Sequence, residues 1–168
     1  LCRGFQPEEI AEVVSSERIT GLVLAAQILF GIIDLGRMDD LASVRYLLFA
    51  GVAPSVRRKV KSLLPAVRLV DTYGMTELTN GCCYMDAAHE QQKVGSLGVP
   101  LPLMELRVVD ERYQPVPAGT SGEIVVRGAK VSPGYWRDEA TTAASRRDDW
   151  FLTGDVGYLD DDGYLWFV

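Results

Sequence analysis

Apolar and polar positions in the first ninety residues change period repeatedly, and each change marks an expected element. Pro7-Glu8-Glu9 followed by Ile10-Ala11-Glu12-Val13-Val14 reads as a helix start. Proline is tolerated in the first turn, and the acids favour the positive end of the helix dipole. Ile19 to Leu24 is a short apolar run suited to a buried strand, and Gln27 to Leu35 returns to helical spacing. Arg45 to Phe49 predicts a second strand, Gly51 to Pro54 a turn, and Ser55 the cap of a basic helix through Leu64. Arg68 to Asp71 predicts a third strand that opens directly onto Tyr73-Gly74. Strand, helix, strand, helix, strand at this spacing implies part of a parallel sheet.

From Gly95 onward the pattern becomes β-rich. Short runs at Glu105 to Val109, Gly122 to Arg127, Tyr158-Leu159 and Tyr164 to Val168 are split by Gly and Pro. Asp162-Gly163 between two such runs signals a hairpin, and Asp110 to Tyr113 a second turn. The expected fold class is therefore α/β, or α+β overall. A partial parallel sheet with helices spans 1–90, and a small β-barrel-like or meander subdomain spans 91–168. The change between them is expected in the loop from Asp86 to Lys93.

Composition sharpens this picture by exclusion. Apolar residues make up 48% and charged residues 24%, as in a globular chain with a real core. Seventeen basic against 23 acidic residues give −6, and the densest basic run is Arg57-Arg58-Lys59 with Lys61, which disfavours nucleic-acid binding. That run reads as a solvated helix face. The most apolar stretch, Ile19 to Ile33, falls short of the ~20 residues of a membrane span, and no signal peptide precedes it. Adjacent Cys82 and Cys83 and a distant third cysteine make neither a disulfide framework nor a zinc site. A cytoplasmic setting with reduced, buried thiols is expected. His89 stands alone, so no His-Asp triad is available within the chain.

Two clusters carry candidate chemistry. Asp71 to Glu77 places a close-turning glycine, an aromatic ring, a hydroxyl and a carboxylate after a strand, where α/β sheets bind ligands. The ring suits a base, the hydroxyl a phosphate oxygen and the carboxylate a hard cation. A surface loop with a helix-capping threonine fits the same residues equally well. In Phe151 to Asp155, a carboxylate beside a glycine suits a vicinal diol, although a plain β-turn aspartate is the simpler reading. Asp160-Asp161-Asp162 lacks the ligand spacing of a calcium loop and reads as a hairpin turn.

The order of segments resembles the adenylate-forming superfamily of acyl-CoA synthetases, luciferases and peptide-synthetase adenylation domains. Four stretches carry the resemblance: "DTYGMTE", "GSLGVPLP" with "LRVVD", "GEIVVRGAKVSPGYW" and "WFLTGDVGYLDDDGYLWFV". The resemblance implies a ligase that uses ATP, Mg²⁺ and coenzyme A, forming an acyl-adenylate and then an acyl-CoA from a fatty or aromatic acid. It further implies that Tyr73 stacks on adenine, Thr76 contacts the α-phosphate, Glu77 helps hold Mg²⁺ and Asp155 accepts both ribose hydroxyls. Gly51, Ala53 and Pro54 match part of a Gly-Gly-Ala-Pro turn lying against adenine and acyl group. Asp71 would border the purine, and Gly74 and Met75 would put backbone along the acyl-adenylate. Val52 replaces a common second glycine, and Ala25-Ala26 stands where many relatives have proline.

The family's phosphate loop ending in Pro-Lys-Gly and its lysine-bearing C-terminal domain are absent from these 168 residues. The resemblance thus implies an internal fragment of the large N-terminal domain, inactive alone. Two rival expectations stand beside it. One is a truncated, non-catalytic module that binds nucleotide or self-associates through exposed strand edges; the other is a peptide-synthetase adenylation domain.

Overall fold

The computed structural model describes residues 4–50 and 54–168. The chain packs as two compact units, 1–71 and 72–168, and the division falls inside a strand. The sequence places the change of character later, in the loop 86–93.

In the first unit, helix α1 (Pro7–Ser16) begins on its proline with Glu8 and Glu9 in the first turn, and it buries Ala11 and Val14. Strand β1 (Gly21–Val23) leads into helix α2 (Ala26–Asp34), whose Leu29 and Ile32 are fully buried. Strand β2 (Tyr46–Ala50) runs parallel to β1, pairing Gly21 with Tyr46 and Leu22 with Leu47. Helix α3 (Pro54–Leu63) starts on Pro54, so Ser55 sits inside its first turn rather than at its cap. Strand β3 (Arg68–Met75) follows, next to β2 in strand order. Leu29, Ile32, Leu41, Leu47, Phe49, Val60 and Leu69 form one core. Within it, Arg57 and Asp71 make a buried ion pair, and Arg57 also donates to the Leu69 carbonyl at 3.2 Å.

The second unit is mostly antiparallel. The end of β3 pairs with β4 (Asn80–Tyr84), which pairs in turn with β5 (Val99–Pro100). A second sheet contains β6 (Met104–Val109) and β7 (Gly122–Gly128). After the short helix α4 (Glu139–Ala144) come β8 (Arg146–Arg147), β9 (Trp150–Leu159) and β10 (Leu165–Phe167). Its order is β10-β9-β7-β6, with β8 on β9. Alternation sends Met104, Ile124, Val126 and Phe151 into a core shared with Tyr73, Leu78, Cys82, Cys83 and Leu165. The molecule is thus a mixed α/β fold: a layer with parallel strands and helices, then an antiparallel β-rich part.

Three features depart from the expected elements. Strand β3 continues past Asp71 to Met75, so Tyr73 and Gly74 lie in a strand because β4 supplies them with partners. Strand β9 extends over ten residues and contains the Thr153-Gly154-Asp155 motif, which is not a free turn. Between them α4 forms on an Asp138 cap, whose side chain accepts from the Thr141 amide. The hairpin at Asp162-Gly163 is present and joins β9 to β10.

Candidate functional site

The Tyr73–Glu77 stretch is shaped by a β-bulge. Tyr73 pairs with Cys83 but Gly74 pairs with Gly81, which leaves Cys82 as an extra residue on β4. Such a bulge bends the strand and increases its twist. Gly74 is needed there: a Cβ would lie 2.1 Å from the Asn80 carbonyl oxygen and 2.6 Å from the Gly81 Cα. The bulge also places Cys82 and Cys83 in the same core, free of any disulfide. A hydrogen bond between the two thiols lowers the pKa of Cys82 and, with burial, raises that of Cys83.

After the bulge the chain turns through a 3₁₀ segment, Thr76–Leu78, closed by Thr79 and Asn80 at φ 50° and 72°. Leu78 is fully buried and anchors this turn, leaving Thr76 exposed and Glu77 half-buried. The Glu77 carbonyl accepts from the Ser132 amide at 2.7 Å, and its Oε1 accepts from the Tyr135 hydroxyl at 2.8 Å. That bond to a carboxylate raises the pKa of Tyr135. Thr76, Glu77, Ser132, Tyr135, Arg146 and Phe151 line a hollow of about 190 Å³. Arg146, held by its bond to the Ser132 carbonyl, brings a positive charge to this hollow that sequence reasoning missed. Its only signal is a place a few residues before the Phe151–Asp155 motif.

A second bulge sets Asp155. Glu123 pairs with Val156 and Val125 with Leu152, so Thr153, Gly154 and Asp155 oppose Ile124 alone. Gly154 takes φ 73° at its crest. Thr153 Oγ1 donates to the Ile124 carbonyl at 2.6 Å and accepts from the Asp155 amide at 3.1 Å. Glu123 Oε1 accepts from the Gly154 amide. The Tyr73 hydroxyl donates to Asp155 Oδ2 at 2.8 Å, across 82 positions of sequence. Burial first, then the adjacent carboxylate, pushes the Tyr73 pKa far above the usual phenol range. Tyr73 therefore remains a proton donor, and Asp155 keeps its other oxygen and remaining lone pairs.

The remaining candidates fall elsewhere. Asp71 is buried against Arg57 in the 1–71 unit. Gly51 and Ala53 lie outside the described residues, and Pro54 opens α3. Gly74 and Met75 line a shallow depression with Thr76, Thr79 and Asn80. Among the described residues no cluster of three His, Cys, Asp or Glu side chains is placed to hold a metal. In the acidic run, Lys93 bridges Asp160 and Asp162 at 2.8 and 2.6 Å, which suits a braced turn. No helix among the described residues is long and apolar enough to cross a membrane.

Comparison with known proteins adds four findings. The family described as AMP-binding enzyme matches residues 1–136. A feruloyl-CoA synthase from Amycolatopsis sp is 38% identical over 171 aligned positions, which cover the whole of this chain and 35% of that protein. An indoleacetate–CoA ligase from Aromatoleum aromaticum is 36% identical, covering 96% of this chain and 32% of that protein. Among solved structures, the amide bond synthetase McbA from Marinactinospora thermotolerans superposes with a TM-score of 0.87 at 31% identity, over all of this chain and 35% of that one. The chain spans about a third of the length of the curated relatives it matches.

Proposed function

Because the chain belongs to the AMP-binding enzyme family, we propose that it is the nucleotide-facing part of an ATP-dependent acid–thiol ligase. A carboxylate oxygen of the acid attacks the α-phosphorus of ATP, and the bond to pyrophosphate breaks. A thiol, that of coenzyme A, then attacks the acyl carbon, and AMP departs with the bonding electrons. The acid is aromatic or fatty, and the likeness to an enzyme named for ferulate and one named for indoleacetate supports the aromatic choice.

The observation that carries this reading is the Tyr73–Asp155 hydrogen bond, which joins the two motifs within one unit. Asp155 accepts the ribose hydroxyls with the lone pairs that Tyr73 leaves open. Tyr73, only 5% exposed, serves the adenine as a fixed wall. Gly74 and Met75 lay backbone along the acyl-adenylate. Thr76 donates to an α-phosphate oxygen. Glu77 and the Thr76 hydroxyl are hard oxygen donors, and with Oε1 committed to Tyr135, Glu77 Oε2 is left for Mg²⁺. One carboxylate fits this ion, which is held by one or two carboxylates together with substrate phosphates. When bound, Mg²⁺ neutralises phosphate charge. The protein acts in the cytoplasm, and exposed apolar residues, Val23 on β1 and Phe5 ahead of α1, favour self-association.

The test is an NMR titration of the 168-residue chain with AMP. Saturable shifts at Tyr73, Thr76 and Asp155 are expected, with an affinity weaker than about 1 μM. Shifts that avoid these residues, or thioester synthesis by the chain alone, would sink the reading.

A further inference from the structure

The outward face of the second sheet carries an arrangement with no part in the reaction above. Strand alternation puts Glu105, Arg107, Val125, Arg127, Trp150 and Leu152 on the side opposite the core residues Ile124, Val126 and Phe151. Val125 is nevertheless only 3% exposed, because a layer of long side chains covers it. Over Val125 and Leu152 lies a hollow of about 210 Å³. Arg107, Tyr113, Gln114, Arg147, Asp148 and Trp150 are in its lining.

Both arginines are held by rings. The Arg107 guanidinium lies 4.4 Å from the Trp150 centroid and that of Arg147 lies 4.3 Å from the Tyr113 centroid. Tyr113 reaches this position with φ 61°, a left-handed conformation that costs an aromatic residue energy. Stacking uses the π face of a guanidinium and leaves its in-plane N–H groups open to acceptors. Among the described residues neither Arg107 nor Arg147 is within salt-bridge distance of a carboxylate or donates a hydrogen bond, although the Glu105 carboxylate lies in the field of Arg107. Arg127 also lies over the Trp150 ring, 4.7 Å from its centroid, but spends its charge on Glu105 at 2.7 Å. Two such arginines face one acid in the lining, Asp148.

We propose that this hollow binds a phosphate group, gripped between the Arg107 and Arg147 forks with the Gln114 amide as a further donor. A phosphate matches a guanidinium edge with paired acceptors, and arginines already fixed on rings lose little freedom on binding. The apolar floor of Val125 and Leu152 takes no part in the polar contacts.

Titration of the 168-residue chain with inorganic phosphate, at ionic strength held constant with sodium chloride, tests this by NMR. Saturable shifts of the Arg107 and Arg147 Nε–H and Trp150 indole signals are expected, with a Kd of about 1 mM. Arg147→Gln should weaken binding by about tenfold or more, while Arg127→Gln should change it by less than about twofold. Arg147→Lys keeps the charge but loses the fork, and its loss should fall between the two. Should a variant fail to fold by circular dichroism, the location of the wild-type shifts still decides the matter. Non-saturating shifts, equal shifts with chloride alone, or undiminished binding by Arg147→Gln would overturn the proposal.

Discussion

Asp71 and Asp155 are both aspartates inside the strands that carry the two motifs, β3 and β9, yet the two units treat them differently. In the 1–71 unit Asp71 is 3% exposed and faces a guanidinium that is itself 7% exposed. In the 72–168 unit Asp155 sits on a bulge, tied by one neutral hydroxyl, and stays partly open to solvent. A fully matched buried charge holds structure, whereas a carboxylate with a single neutral donor keeps acceptor capacity for a ligand. Partner and exposure, more than residue type, separate the two.

Breaking the first arrangement should have the largest effect. Asp71→Ala removes the carboxylate that faces the buried Arg57 charge and should cost about 3–5 kcal/mol of stability. Urea unfolding followed by circular dichroism measures this, and a loss below about 1 kcal/mol would show the pair to be dispensable. Next comes Gly74→Ala, where the new methyl meets backbone at 2.1 Å and no side chain can move aside. A cost of about 1–3 kcal/mol is expected, seen as a lower thermal midpoint; an unchanged midpoint would mean that the bulge relaxes freely.

The second arrangement should respond in function more than in stability. Tyr73→Phe removes a hydrogen bond to a charged acceptor and should cost about 1.5 kcal/mol. Asp155→Asn keeps the size of the side chain but cannot accept as before at both oxygens. It should weaken AMP binding about tenfold while altering stability by less than Tyr73→Phe does. If the two substitutions proved equal in both readouts, Asp155 would be a structural group like Asp71.

Much of the local structure was legible in the sequence, but this contrast was not: the run holding Arg57 reads as a solvated face, whereas Arg57 is buried against Asp71. The helices α1, α2 and α3 and the strands β1 and β2 follow from local period and from Pro7, Glu8 and Glu9, which act within one turn. The motif residues Tyr73, Thr76, Glu77 and Asp155 are singled out by the order of the four family-like segments, since their chemistry alone fits a capped loop and a β-turn as well. Both bulges were illegible, since each depends on register with a strand remote in sequence, and Cys82 or Gly154 alone signals neither. The reach of β3 to Met75 comes from pairing with β4, and the place of Arg146 beside Glu77 from packing of the loop at Ser132. The acidic run shows the opposite case: Asp162-Gly163 marked the hairpin locally, although its lysine brace from Lys93 did not show.

That brace yields the smallest and most local prediction. The Tyr164 hydroxyl, then His89, lowers the Asp86 pKa to about 2. Burial works against ionisation of Asp160, but Lys93, the Trp166 indole and two backbone amides outweigh it and bring Asp160 to about 2. Both carboxylates titrate lower in the folded chain than the ~3.9 of an unfolded aspartate. Their contribution is therefore full above about pH 4 and is lost as pH falls toward 2. The β9–β10 hairpin and the 86–93 loop should loosen across that window, while groups elsewhere set the global acid transition. Amide exchange at Asp162 and Tyr164, whose N–H groups both donate to Asp160, reports the opening directly. Lys93→Gln removes the cation shared by Asp160 and Asp162, so Asp160 should protonate at a higher pH and exchange should quicken sooner on acidification. A flat exchange profile between about pH 4 and pH 2, or an identical profile for Lys93→Gln, would mean that the hairpin holds by its backbone pairing alone.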